Sequence, residues 1–134
     1  MSIRVFVVED HHVVREGYVA LLGTVPEVEL VGVAERGEEA IDRIPPLRCD
    51  VVAVDLQLPG MSGLEVVKRL VALEDAPSIL VVSAHEEAIY ADHAFEAGAT
   101  GYLTKHEAAR QLPDAVLMTA NGERYLSESL RAQA

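Results

Sequence analysis

The sequence predicts one α/β domain built on a parallel β-sheet, and three observations carry that reading. Short runs rich in β-branched residues alternate with amphipathic segments from end to end. The runs are mostly apolar, with Arg4 and Glu29 their charged members, rather than alternating regularly with polar residues. At 134 residues the chain has the usual size of a single domain, roughly 100–150 residues, and no composition break, repeat or low-complexity tract divides it. Half of its residues are hydrophobic, enough to bury a core without staples.

The apolar runs cover residues 3–8, 28–33, 51–54 and 79–82, with a weaker one at 100–103. Runs of this length, mostly Val, Ile and Leu, read as strands buried on both faces. Between them lie helical patterns near residues 12–23, 37–44, 63–73, 86–97 and 109–121. Val14, Tyr18 and Leu21 follow helical spacing in the first, Leu112 and Val116 in the last. Gly23, Gly98 and Gly122 stand where helices should stop. Pro113 lacks an N–H and is tolerated only in a first turn, so the last helix is expected to start late or irregularly.

The chemistry-bearing residues sit where the runs end. The first run ends in Glu9 and Asp10, the third in Asp55 and the fourth in Ser83, and Lys105 follows Thr104 after the fifth. In a parallel open sheet these are all carboxyl ends, and ligands bind along that edge where the strand order reverses. Two carboxylates about 4 Å apart repel by roughly 4 kcal/mol at an effective dielectric near 20. A divalent cation offsets that repulsion, and an all-oxygen set suits Mg²⁺, which keeps several waters and favours phosphate. Lys105 supplies a mobile point charge for one phosphate oxygen, and Ser83 a hydroxyl for another. Asp55 is left as the nucleophile, forming an acyl phosphate. Phosphoryl transfer asks mainly for positioning and charge neutralisation, which this set provides.

Four stretches, Val7-Val8-Glu9-Asp10-His11, Asp55-Leu-Gln-Leu-Pro-Gly-Met-Ser-Gly63, Ser83-Ala84-His85 and Gly98-Ala-Thr-Gly-Tyr-Leu-Thr-Lys105, together resemble a bacterial response-regulator receiver domain. Within that family, Val14-Arg-Glu-Gly17, Gly37-Glu-Glu-Ala40, Ser62-Gly-Leu-Glu65 and Gly122-Glu-Arg-Tyr-Leu-Ser127 are most similar to the NarL/FixJ subfamily with LuxR-type output. The resemblance spans about residues 2–127. It implies a flavodoxin-like (βα)5 fold, a five-stranded parallel sheet in the order 2-1-3-4-5 with helices on both faces. By position it implies that Asp55 is the phospho-acceptor. Glu9 and Asp10 are then the acidic pair for Mg²⁺, Asp10 is the direct ligand, and the backbone carbonyl of Gln57 is the third protein ligand. Ser83 corresponds to the switch hydroxyl, Lys105 to the phosphate-binding lysine, and Tyr102 to a switch aromatic that turns inward on phosphorylation. The implied phosphodonor is a sensor histidine kinase, and homodimerisation on activation is a family expectation.

Some positions depart from the family's common wording. Glu9 replaces Asp, so its metal contact is expected through water, and Ser83 stands where Thr is commoner. His12 takes the place of a frequent Pro, and His106 that of a frequent Asp. None of these removes a required group. His85, two residues after Ser83, is expected to border the pocket and tune phosphoryl lifetime. Residues 1–127 are expected to form the receiver. Residues 128–134 then begin a linker to a DNA-binding helix-turn-helix domain that this chain does not include. Any DNA contact is expected through that domain alone. The alternative is a stand-alone receiver acting by protein–protein contact.

Composition narrows the competing functions. The net charge of −11 leaves no basic surface to displace counterions, so direct nucleic-acid binding by these residues is not expected. A lone cysteine, Cys49, permits no internal disulfide and fits a reducing cytosol; there is no signal-peptide pattern and no apolar stretch of membrane-spanning length. A cytoplasmic protein with no membrane contact is expected. A metal-dependent phosphatase on a similar sheet would carry a second aspartate two residues after the nucleophile, and Gln57 there cannot transfer a proton. No glycine-rich loop follows the first run, which argues against a dinucleotide or flavin. The five histidines lack the i, i+4 spacing of a transition-metal site.

Overall fold

In the computed structural model, which describes residues 2–133, the apolar runs become strands β1 (Ile3–Val8), β2 (Val28–Ala34), β3 (Val51–Val54), β4 (Ser78–Ser83) and β5 (Gly101–Thr104). The helical patterns become α1 (His12–Leu22), α2 (Gly37–Arg43), α3 (Gly63–Val71), α4 (Ala88–Ala97) and α5 (Lys105–Ala120). Met1 and Ala134, the outermost residues of the two expected spans, lie outside the described residues. All strand pairs are parallel.

The expected five-stranded sheet needs a correction. A sixth strand, β6 (Tyr125–Leu126), joins beside β5 and makes the order β2-β1-β3-β4-β5-β6. Two residues show no readable periodicity. This strand exists because the edge of β5 offers partners: Tyr125 N–H donates to the Thr100 carbonyl (3.2 Å) and Ser127 N–H to the Tyr102 carbonyl (2.9 Å). A short helix, α6 (Glu128–Arg131), follows and seats Leu130 in the core.

Side chains alternate across the sheet and build a core on each face. Phe6, Val8, Val52, Val54, Ile79 and Val81 pack with Ala40, Val66, Leu70 and Ala94 from α2, α3 and α4. Val5, Val7, Val51, Ala53, Leu80 and Leu103 pack with Tyr18, Leu22, Leu112 and Val116 from α1 and α5. Burying each such aliphatic side chain stabilises the fold by about 1.5–3 kcal/mol relative to exposure. The central strands are therefore rigid, and their carboxyl ends are fixed platforms.

Helix α5 corrects a second expectation, because it begins at Lys105 with Pro113 in its interior. Loss of one backbone hydrogen bond is outweighed by tertiary packing. Ala108, Leu112, Ala115, Val116 and Thr119 form a buried stripe that requires an unbroken helix. At the end of α4, Gly98 takes the left-handed φ of 114° expected of a helix-closing glycine, whereas Gly23 keeps φ at −64°. Ser62 caps α3, its Oγ accepting from Glu65 N–H at 3.2 Å. Among the described residues no helix is long and apolar enough to cross a membrane.

Candidate functional site

Strand register assembles the site. Val8 pairs with Val54, so the next residues, Glu9 and Asp55, emerge side by side. Asp55 N–H donates to the Val8 carbonyl at 3.1 Å and locks this arrangement. Ser83 pairs with Thr104, so Lys105 leaves the sheet at the same edge. Between β1 and β3 the chain direction of the winding reverses, the place where such sheets form a crevice.

The geometry is tight. Lys105 Nζ lies 2.9 Å from Asp55 Oδ2 and 2.9 Å from Glu9 Oε1. The other Asp55 oxygen, Oδ1, accepts from Gln57 N–H at 3.1 Å. Glu9 Oε2 accepts from His11 N–H at 3.0 Å and faces His11 Nδ1 at 3.0 Å. His11 Nδ1 also stands 3.3 Å from Asp10 Oδ1. Glu9 and Asp55 are buried, Asp10 and Lys105 partly so.

One ligand atom from each of Glu9, Asp10, His11 and Asp55 falls within 4.8 Å of the others. Among the described residues Asp10 Oδ1 is buried with no aligned hydrogen bond, the 3.3 Å His11 contact included, and Glu9 Oε1 likewise meets Lys105 as an ion pair without one. Three carboxylates against one ammonium leave two negative charges uncompensated at this edge. These residues fit a hard divalent cation such as Mg²⁺. His11 was set aside in the sequence because no helical metal spacing involves it. Its only signal was adjacency to Asp10.

The protonation equilibria reflect the crowding. Burial pushes Asp55 above its ordinary value, and repulsion from Glu9 adds to this, against the pull of Lys105 and the Gln57 N–H. In Glu9 burial acts the same way but is outweighed by Lys105 and by the bonds from His11, so its pKa is lowered. Burial opposes the charge on Lys105, but its two carboxylate partners hold its pKa above the ordinary value. A bound divalent ion would add its own charge and favour both carboxylates in the ionised form.

Ser83, His85 and Tyr102 form a second group beside the first. Ser83 Oγ accepts from His85 N–H at 3.1 Å, and Tyr102 Oη donates to the His85 carbonyl at 2.7 Å. The His85 ring stacks on Tyr90 with centroids 3.9 Å apart. His85 therefore joins Ser83 to Tyr102 through its backbone. The Tyr102 ring lies inward in this structure, fully buried in the core shared with α3 and α4. Apolar burial and the bond to His85 hold it there.

A parallel, doubly wound sheet with an acidic, cation-fitting crevice at its switch point defines a flavodoxin-like α/β domain. The family model described as the response regulator receiver domain matches residues 5–117, and the chain belongs to that family, the receiver domains of two-component response regulators. It is 34% identical over 131 residues to the response regulator GacA of Pseudomonas viridiflava, covering 98% of this chain and 61% of that protein. The crystal structure of a LuxR-family two-component response regulator from Aurantimonas superposes with a TM-score of 0.93 at 33% identity, covering 98% of this chain and 94% of that one. The receiver domain of the putative response regulator NarL from Mycobacterium tuberculosis gives a TM-score of 0.86 at 34% identity, covering 91% and 98%. The chain thus spans about three fifths of the length of its GacA relatives.

Proposed function

We propose that this domain accepts a phosphoryl group on Asp55 from the phosphohistidine of a sensor histidine kinase and thereby switches conformation. One observation carries the reading: Lys105 bridges Asp55 Oδ2 and Glu9 Oε1 at 2.9 Å each, beside the buried Asp10 Oδ1, which accepts no hydrogen bond among the described residues. The nucleophile, a mobile cation and a cation-binding acid thus occupy one pocket.

In this mechanism an Asp55 oxygen attacks phosphorus, the new O–P bond forms as the P–N bond breaks, and that bond's electron pair returns to the imidazole nitrogen. Asp10, Asp55 and the Gln57 carbonyl would hold Mg²⁺, with Glu9 reaching it through water. When bound, the ion neutralises the carboxylates and the phosphoryl oxygens. Lys105 exchanges a carboxylate partner for one phosphoryl oxygen, and the Ser83 hydroxyl donates to another. Movement of Ser83 reaches Tyr102 through the His85 backbone, and that link is also where His85 bears on phosphoryl lifetime. Loss of the phosphoryl group to water resets the domain. Similarity to a LuxR-family regulator supports transcriptional output. In this reading residues 128–134 lead toward a DNA-binding domain, and activation favours a homodimer.

The test is labelling by acetyl phosphate with Mg²⁺, read by intact mass. The wild-type protein gains one phosphoryl group and Asp55→Asn gains none. Undiminished labelling of Asp55→Asn rules the assignment out.

A further inference from the structure

Arg15 is the only buried lysine or arginine among the described residues, at 8% exposure. Arginine is seldom buried unless paired, so its contacts define its purpose. Nη1 donates to the main-chain carbonyl of Glu9 at 2.9 Å. Nη2 lies 3.2 Å from His12 Nδ1, which must accept because a guanidinium only donates, and 3.2 Å from Glu35 Oε1. The carbonyl it grips belongs to the peptide that joins Glu9 to Asp10. Glu9 N–H in turn donates to the Ala34 carbonyl at 3.0 Å. Arg15 therefore ties the start of α1 and the residue after β2 to the one peptide plane that aims both acids. No side chain caps α1, whose N-cap is His11, so no capping bond shares the task.

We infer that Arg15 is a positioning residue for the metal-binding acidic pair, fixing the Glu9–Asp10 peptide so that both carboxylates present oxygen atoms to the cation. The inference rests on the proposed Mg²⁺ role of Glu9 and Asp10. A planar fork that donates in two directions meets this need, and the single ammonium of a lysine meets it in part. Charge alone makes the opposite prediction. Arg15 has the same sign as the metal, so simple repulsion implies that its removal tightens Mg²⁺ binding. Loss of an outer-shell partner weakens it, typically about 10- to 100-fold.

The experiment is calorimetric titration of Mg²⁺ into the wild-type protein, Arg15→Lys, Arg15→Met and Glu35→Gln, with thermal unfolding of each in EDTA. The expected result is a dissociation constant raised by about 10- to 100-fold in Arg15→Met, with Arg15→Lys falling between it and wild type. Glu35→Gln is the charge comparison: it loosens the outer anchor but also removes a negative charge, which by itself weakens cation binding, and its shift is expected to stay below that of Arg15→Met. If Arg15→Met does not fold, Arg15→Lys, which keeps the charge, decides alone. Unchanged or tighter Mg²⁺ binding with only a lower Tm makes Arg15 a structural staple and overturns the inference. A wild-type protein that binds no Mg²⁺ overturns the metal reading of the pocket itself, which separates the two failures.

Discussion

Gly63 opens α3 against the peptide of Asp55, and replacing it with alanine perturbs the proposed nucleophile without touching its chemistry. A Cβ there would lie 2.1 Å from the Asp55 carbonyl oxygen, 2.5 Å from Leu56 Cα and 2.8 Å from the Asp55 carbonyl carbon. All three are backbone atoms, so no rotamer change relieves the clash. Cβ contacts essentially never fall below 3.0 Å, so the two segments must part by at least the difference, about 0.9 Å. Gly63 N–H donates to the Leu56 carbonyl at 2.9 Å, and that bond resists the separation. Overpacking of this kind costs about 1–3 kcal/mol, lowering Tm by roughly 4–11 °C in a domain of this size. A reacting group displaced by about 1 Å loses on the order of 100-fold in rate. The assay is the rate of acetyl phosphate labelling at saturating Mg²⁺, well below the Tm of the variant. Ser62→Ala is the control, because it removes the α3 cap at a cost of about 1 kcal/mol and leaves the Asp55 peptide in place. Wild-type labelling by Gly63→Ala refutes the reasoning, and so does an equal slowing by Ser62→Ala.

Two further outcomes follow from buried polar groups. Glu107 accepts from Ser127 Oγ (2.6 Å), Ser129 Oγ (2.8 Å) and Thr104 Oγ1 (3.2 Å). Burial raises its pKa, but these bonds outweigh burial and hold it below the ordinary 4.5. The folded state therefore favours the carboxylate, and this stability is present above the ordinary value and lost as pH falls through the folded one. Glu107→Gln should melt lower than wild type near neutral pH but lose less Tm on acidification below 4.5, and parallel Tm–pH curves would contradict this. Tyr18 Oη is buried with no hydrogen-bond partner among the described residues. Tyr18→Phe should gain about 1 kcal/mol, seen as a higher urea midpoint at unchanged m, and a loss of similar size would reveal a bond made by the hydroxyl.

The strands and the reactive residue types were legible because both are local properties. Residues 3–8 and 51–54 match β1 and β3 residue for residue, since continuous apolar runs have no stable place except a doubly covered sheet. Glu9, Asp10, Asp55 and Lys105 could be assigned to one edge from the parallel order alone, and strand register then brought them into contact. Elements that depend on a distant partner were hidden. β6 needs the free edge of β5, and α5 continues through Pro113 only because its buried stripe packs on the sheet. The inward Tyr102 depends on a carbonyl seventeen residues away, and Arg15 reads in sequence as one more helical surface charge. The sequence by itself determined which groups this receiver carries and in what order, because composition and periodicity belong to the chain. Only the tertiary structure decided how the Glu9–Asp10 peptide is aimed, how closely α3 approaches Asp55 and which way Tyr102 faces. Those depend on sub-ångström contacts between segments that meet only once the core has packed.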